Sequence, residues 1–456
     1  MSEAQQGAAR LEDFGYKQEL KRTLSLRDLL VYGLVFIVPG APLPVFGIVY
    51  NASKGMVPLT YFIGLVAMLF TALSYMSMST VFPVAGSAYT YARRTMGETV
   101  GFFAGWAMLL DYLLLPTLVY VICAIAVHAA LPWVNQSLCV VVLVAIATAV
   151  NYFGIETTAK TSLILLALQL VILAIFFAIG INALMHGVGG AHLSLKPIFN
   201  AGIATPHLLF GALSLAVLSF LGFDAISTLS EEAAGGPPTV AKATILSLIV
   251  CATLFMLETY LASLFVLNYP SFKSGTPTDE AFYDIATLLG GYWLKFLFTV
   301  PAVLVGGIAA ALSAQAATAR LLYSMSRDGK LPRALSHVNG ARQVPERAVF
   351  LVAGVTVVLG IGFVSQMELL TSMVCFGALF GFLMVHISVL AHYRQNPDRH
   401  WFRHTLSPAI GFIIIGYVLW SSEENAKIAG SLWLAVGALS LLVLKFRGRN
   451  VALPVE

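Results

Sequence analysis

Apolar stretches of about twenty residues and more recur from one end of this chain to the other. Residues 161–184, for example, contain no Asp, Glu, Lys or Arg. A helix needs about 20 apolar residues to cross the hydrocarbon of a bilayer. In lipid the backbone must satisfy its own hydrogen bonds, so runs of this length dictate helices. The composition agrees: 59% of residues are hydrophobic and 11% charged, against about 25% charged in soluble domains. The chain therefore reads as an all-α integral membrane protein.

The runs divide into twelve transmembrane helices, near 26–50, 57–81, 98–128, 134–152, 161–184, 206–230, 242–267, 291–323, 347–365, 368–391, 405–421 and 426–444. With the N-terminus in the cytoplasm, only Lys54, Lys196, Lys273, Lys295 and Lys427 of the 26 basic residues fall outside. Basic residues concentrate on cytoplasmic loops, so this distribution supports an even count with both termini cytoplasmic. The polar start of the chain has no apolar core followed by a small-residue cleavage site, so no signal peptide is expected. Cys123, Cys139, Cys251 and Cys375 all fall in apolar runs and read as core residues rather than disulfide partners.

Two of the twelve spans are interrupted. Span 1 carries Pro39-Gly40-Ala41-Pro42-Leu43-Pro44, and span 6 carries Ser219-Phe220-Leu221-Gly222-Phe223-Asp224. Glycine weakens a helix interior, and a charge at the bilayer centre costs roughly 2.5–3.5 kcal/mol on insertion scales. Such residues persist where they line a watery cavity. Broken helices in corresponding positions, five spans apart, point to an inverted-repeat transporter with its site at the midplane. The expected organisation is a cytoplasmic tail (1–25), a first repeat of helices 1–5 (26–184), a second of helices 6–10 (206–391), helices 11–12 (405–444) and a cytoplasmic tail (445–456).

Three motifs then become familiar in order and spacing. Phe82-Pro83-Val84-Ala85-Gly86-Ser87-Ala88-Tyr89-Thr90-Tyr91 resembles the loop after span 2 of the amino acid–polyamine–organocation superfamily. Gly222-Phe223-Asp224-Ala225-Ile226-Ser227-Thr228-Leu229-Ser230-Glu231-Glu232 resembles its span 6, and the segment from Arg320 to Pro332 its span 8 exit. Gly105-Trp106, Leu110-Asp111-Tyr112-Leu113 and the Gly-Phe-Asp-Ala run resemble bacterial putrescine importers. The resemblance implies a secondary carrier of amines or amino acids with a five-plus-five inverted repeat, LeuT-like, and discontinuous helices 1 and 6. One departure stands out. Importers of this type tend to carry an aspartate before Phe-Gly-Ile-Val; here Pro44 and Val45 precede Phe46-Gly47-Ile48-Val49, and that amine-binding carboxylate is missing.

Several residues are candidates for chemistry. Asp224 falls, by resemblance, where arginine–agmatine antiporters place a proton-sensing glutamate. A carboxyl in a partly dry cavity can exchange a proton near neutral pH, or pair with an ammonium, so Asp224 is read as the proton-coupling residue. Tyr112 lies near an aromatic that, in the superfamily, lines the substrate path. A cation stacked on such a ring gains roughly 0.5–2 kcal/mol. Gly40, Ala41 and Leu43 keep backbone N–H groups that the neighbouring prolines lack, so they could hold a substrate carboxylate at a half-helix start. Phe220, Gly222 and Phe223 complete the expected substrate site, with the two phenylalanines as apolar walls.

Further possible contributors are Asp111, one residue and about 100° round the helix from Tyr112, and Ser313 in span 8. Gln169 aligns with a lysine that in some proton-coupled relatives occupies the place of a sodium ion. Its neutral amide does not supply that charge, so proton coupling through this position is unsupported; H+ is the expected coupling ion through Asp224, with Na+ left open. Glu258, an intramembrane carboxylate toward the outer third of span 7, is either functional or able to snorkel to water.

The expected function is import of a small amine or amino acid by proton symport with alternating access, in a bacterial inner membrane. An exchanger is the alternative within the class; a channel or a non-transporting sensor is the alternative outside it. No cofactor, metal, enzyme activity or nucleic-acid partner is expected. The partners are the solute and the bilayer, and the chain is expected as a monomer or weak homodimer.

Overall fold

The computed structural model describes residues 24–82, 87–153, 159–224, 226, 233–268, 271–304, 310–327, 331–337, 345–394 and 396–446. The chain tails, most of the motif 225–232 and the end of the span 8 motif lie outside these residues. Among the described residues the secondary structure is helical, with one isolated bridge between Leu24 and Ala233.

The helices are α1 (Leu26–Ile37), α2 (Phe46–Ser53), α3 (Val57–Val81), α4 (Ser87–Met96), α5 (Glu98–Ala130), α6 (Gln136–Phe153) and α7 (Ala159–Met185). They continue with α8 (Pro206–Ala216), α9 (Pro237–Leu264), α10 (Thr276–Asp279), α11 (Ala281–Gly290), α12 (Tyr292–Pro301) and α13 (Ala311–Arg327). The last four are α14 (Glu346–Phe363), α15 (Met367–Tyr393), α16 (Ser407–Ser421) and α17 (Glu424–Phe446).

Eight of these elements are long and apolar enough to cross a membrane: α3, α5, α7, α9, α14, α15, α16 with its preceding turn, and α17. The other four expected spans coincide with α6 and with interrupted pieces: α1–α2, α8, and α12–α13. An interrupted helix cannot present twenty continuous apolar residues, so length alone leaves these pieces out; α6 is unbroken and is left out as a shorter helix.

Local chemistry sets the ends that matter. Ser25 caps α1 through a capping box: its hydroxyl accepts from the Asp28 N–H, and the Asp28 carboxylate accepts from the Ser25 N–H at 2.9 Å. α1 then stops at Ile37, because Pro39 has no N–H to extend it. Val38 takes the left-handed φ of 62°, a strained value for a β-branched residue. The chain restarts as α2 at Phe46. In span 6, α8 tightens into a 3-10 turn at Val217–Phe220 and then turns at Leu221 and Gly222. Both expected interruptions are therefore present.

The most buried long helices are α5 and α15, which pack on each other, while α3 packs on α9 and α9 on α1. Outward faces carry Phe62, Ile164, Val358, Ile413 and Leu432, all exposed, as suits contact with lipid tails.

Candidate functional site

Where the two breaks meet, the helices enclose a cavity of about 410 Å3. That volume is in the range of small-molecule sites. Its walls are the end of α1, the 38–44 break, the middle of α5, α7, the 218–224 segment, α11–α13 and Phe382 of α15.

The sequence candidates separate here. Gly40, Ala41, Leu43, Asp111, Tyr112, Gln169, Gly222 and Asp224 all line the cavity. Asp111 and Tyr112 share it despite their angular offset, because they stand toward the two edges of the cavity-lining face of α5, an arc of about 120° that also holds Leu115, Leu118, Val119 and Ile122. Phe220 and Phe223 do not line it; both are fully buried behind it. Phe220 packs on Tyr61 and Phe255, and Phe223 on Tyr75 and Phe382, at ring separations of 5.4–5.9 Å. Glu258 lies away from the cavity and is 0% exposed, so it does not snorkel to water. The side chain of Ser313 lies outside the described residues.

The break in span 1 holds fewer free donors than its sequence promised. The Ala41 N–H donates to the Val38 carbonyl at 2.8 Å, and the Leu43 N–H to the Gly40 carbonyl at 3.2 Å. Of the three, only Gly40 keeps an N–H with no partner among the described residues. The Gln169 amide nitrogen would stand 3.1 Å from a methyl group placed on Gly40, so α7 reaches the break. The carbonyl end of α1, from Val35 to Val38, meanwhile borders the cavity. Pro39 cannot bond the Val35 carbonyl, and helix carbonyl ends favour cations.

Two further features were legible in the sequence but not read from it. Pro116 sits inside α5 and cannot donate to the carbonyl of Tyr112, four residues back. The Thr318 hydroxyl of α13 reaches that place, its one proton shared between the Tyr112 carbonyl at 2.5 Å and the Ala314 carbonyl of its own helix at 2.7 Å. Thr318 also lines the cavity, so one hydrogen bond ties span 8 to the aromatic wall. Ser219 lines the cavity too and bonds the Tyr61 hydroxyl of α3 at 2.9 Å. Gln315, by contrast, is occupied by Asn151 and Thr148 of α6.

Electrostatically the cavity is one-sided. Its described lining includes the carboxylates of Asp111 and Asp224, which lie within electrostatic reach of each other, and no Lys, Arg or His. Asp111 Oδ1 is buried with no hydrogen-bond partner among the described residues. A buried carboxylate oxygen of that kind favours an incoming donor.

The family model for amino acid permeases matches residues 29–441. The low-affinity putrescine importer PlaP of Escherichia coli (strain K12) is 31% identical over 442 residues, covering 95% of each chain. The branched-chain amino acid permease BcaP of Lactococcus lactis is 27% identical, over 91% of this chain and 93% of its own. The methylthioribose transporter of Bacillus subtilis is 25% identical, over 92% and 93%. A multi-pass helical membrane protein, broken at two helices around a solute-sized cavity, is matched over nearly its whole length: this chain belongs to the amino acid permease family, whose members are transporters and not enzymes.

Proposed function

We propose that the chain imports a small amine, or an amino acid held chiefly by its amine, across the bacterial inner membrane. One observation carries the reading: the described cavity lining offers two carboxylates and a helix carbonyl end, and no basic side chain. An ammonium is stabilised by each of these, and Tyr112 adds a ring face for it. A substrate carboxylate finds only neutral donors among the described lining residues, such as the Gly40 N–H, the Gln169 amide and hydroxyls. The missing aspartate before Phe46 is offset by Asp111, so a diamine remains a good occupant. The relatives named putrescine importer and amino acid permease support the same class.

In this reading the chain crosses the membrane twelve times, with both termini cytoplasmic and helices 1–5 and 6–10 as inverted repeats. Asp224 takes up the coupling proton, which crosses together with the solute in symport, while Asp111 pairs with the ammonium, and the bundles rock about the cavity. The experiment is uptake of labelled putrescine into proteoliposomes, with neutral, cationic and acidic amino acids and monoamines as competitors. Saturable, pH-driven accumulation blocked by amines is expected. Competition by acidic amino acids alone would reject the cationic-substrate reading.

A further inference from the structure

Glu258 is the most anomalous polar residue outside the cavity. It lies in the last two turns of α9, is 0% exposed, and neither carboxyl oxygen has a hydrogen-bond partner among the described residues. Burying a carboxyl without a partner is costly, so this residue is a poor choice for packing alone. A neutral Gln or Leu would be cheaper to bury if packing were its whole purpose.

The residue is nonetheless connected to the cavity. Phe255, three residues earlier and so on the same face of α9, packs on Tyr61 at 5.4 Å and on Phe220 at 5.4 Å. Tyr61 and Glu258 thus lie within electrostatic reach of one another, with no hydrogen bond between them in this conformation. The Tyr61 hydroxyl is fully buried and shares a 2.9 Å hydrogen bond with Ser219, in which either oxygen can donate. Ser219 lines the cavity beside Gly222 and Asp224. Among the described residues, the other ionisable side chains within electrostatic reach of this pair are two thiols, Cys251 of α9 beside Glu258 and Cys375 of α15 beside Tyr61. α3 carries no Asp, Glu, Lys, Arg or His. α1 brings only Arg27, Asp28 and Tyr32, toward the end that packs by Val240 and Ala243 of α9; Ser247 meets Gly33, well before Glu258. α7 brings Lys160 at its far end, since Gly180 meets Leu261. His207 opens α8.

We propose that Glu258 is a second proton-binding site of the carrier, loaded from the cavity through Ser219 and Tyr61. In the loading step a proton from cavity water joins Ser219 Oγ, the Ser219 proton passes to Tyr61 Oη, and, once rocking brings the two within hydrogen-bond distance, the Tyr61 proton passes to the Glu258 carboxylate. Both hydroxyls end neutral and one proton has moved. Because Ser219 belongs to the broken segment of span 6 and Tyr61 to α3, rocking of one against the other opens and closes the relay. Glu258 thereby holds its proton in one conformation and exchanges it in another. The coupling role rests on the transporter reading; the proton site itself does not.

The test therefore separates them. The full chain in liposomes is followed by infrared difference spectroscopy between acid and alkaline pH, without substrate. The protonated-carboxyl C=O band should vanish reversibly as pH rises, and one component of it should be absent in Glu258→Gln. Tyr61→Phe, which keeps the ring packing, should slow that component by at least about tenfold. If Glu258→Gln does not reconstitute, Glu258→Asp must displace the same component. A band unchanged in these variants, or one that persists at every pH, overturns the proposal. Putrescine uptake is measured alongside: its failure in the wild type would reject the amine reading while the infrared result still decides the proton site.

Discussion

Gly222 rests directly on the backbone of Phe36: a methyl group there would lie 2.6 Å from the Phe36 carbonyl oxygen. The two broken helices touch at this point, the turn of span 6 against the carbonyl end of α1. Gly222 also takes φ +103°, a conformation that side chains other than glycine rarely adopt. Close approach and backbone angle both require glycine. Gly222→Ala should therefore destabilise the protein by about 1–3 kcal/mol and lower uptake, because the breaks must part. Thermal unfolding in detergent and labelled-amine uptake check this; wild-type values for both would mean the contact is not required.

Asp224 follows Gly222 by two residues and faces the cavity. Removing its charge while keeping its shape isolates its part in coupling. Asp224→Asn should abolish accumulation driven by a pH gradient while leaving measurable amine binding. Proton-driven uptake at the wild-type level in this variant would take Asp224 out of the coupling role.

Tyr112 has two separable contributions. Its ring can stack on an ammonium, so Tyr112→Ala should weaken half-saturation by roughly 2- to 30-fold, matching about 0.5–2 kcal/mol. Its carbonyl depends on Thr318, since Pro116 leaves it without a helix donor. Thr318→Val strands a buried acceptor at a cost of about 1–3 kcal/mol. That variant should lower the unfolding temperature more than it changes which amines compete. An unaltered half-saturation in Tyr112→Ala would place the ring outside the pocket.

The residues that break helices were readable because their effect is local. Three prolines in the 39–44 segment and a glycine beside an aspartate announce themselves in any apolar run. What faces what was harder. Phe220 and Phe223 flank the same turn as Gly222, yet both turn into aromatic clusters with Tyr61, Phe255, Tyr75 and Phe382. In a soluble helix a polar stripe would have marked the outer face. Spanning helices such as α3 and α9 are apolar all round, so the pattern carries no direction. Ala41 and Leu43 illustrate a second limit. Prolines remove donors visibly, but the turn that forms between them takes up N–H groups the sequence leaves available. The position of Glu258 shows a third: depth along a helix does not tell lipid from protein, and here the surroundings are protein.

A pH effect on stability is expected from the segment between α9 and α11. Asp279 ends the short helix α10, largely buried, and burial, with the neighbouring Glu280 charge adding to it, pushes its carboxyl up to about 6. α10 packs on α2, where Asn51 donates to the Thr278 hydroxyl at 3.3 Å and the Thr278 carbonyl meets Gly47. The folded state therefore binds a proton at Asp279 more tightly than the unfolded chain does. Between pH about 4 and 6 the folded protein holds more protons there, so its stability falls as pH rises through that window. The contribution is fully present below the ordinary aspartate range and lost above about 6. Unfolding temperatures should rise from pH 7 to pH 5 in the wild type, and Asp279→Asn, neutral at every pH, should flatten that rise. An identical slope in the variant would assign the effect to other groups.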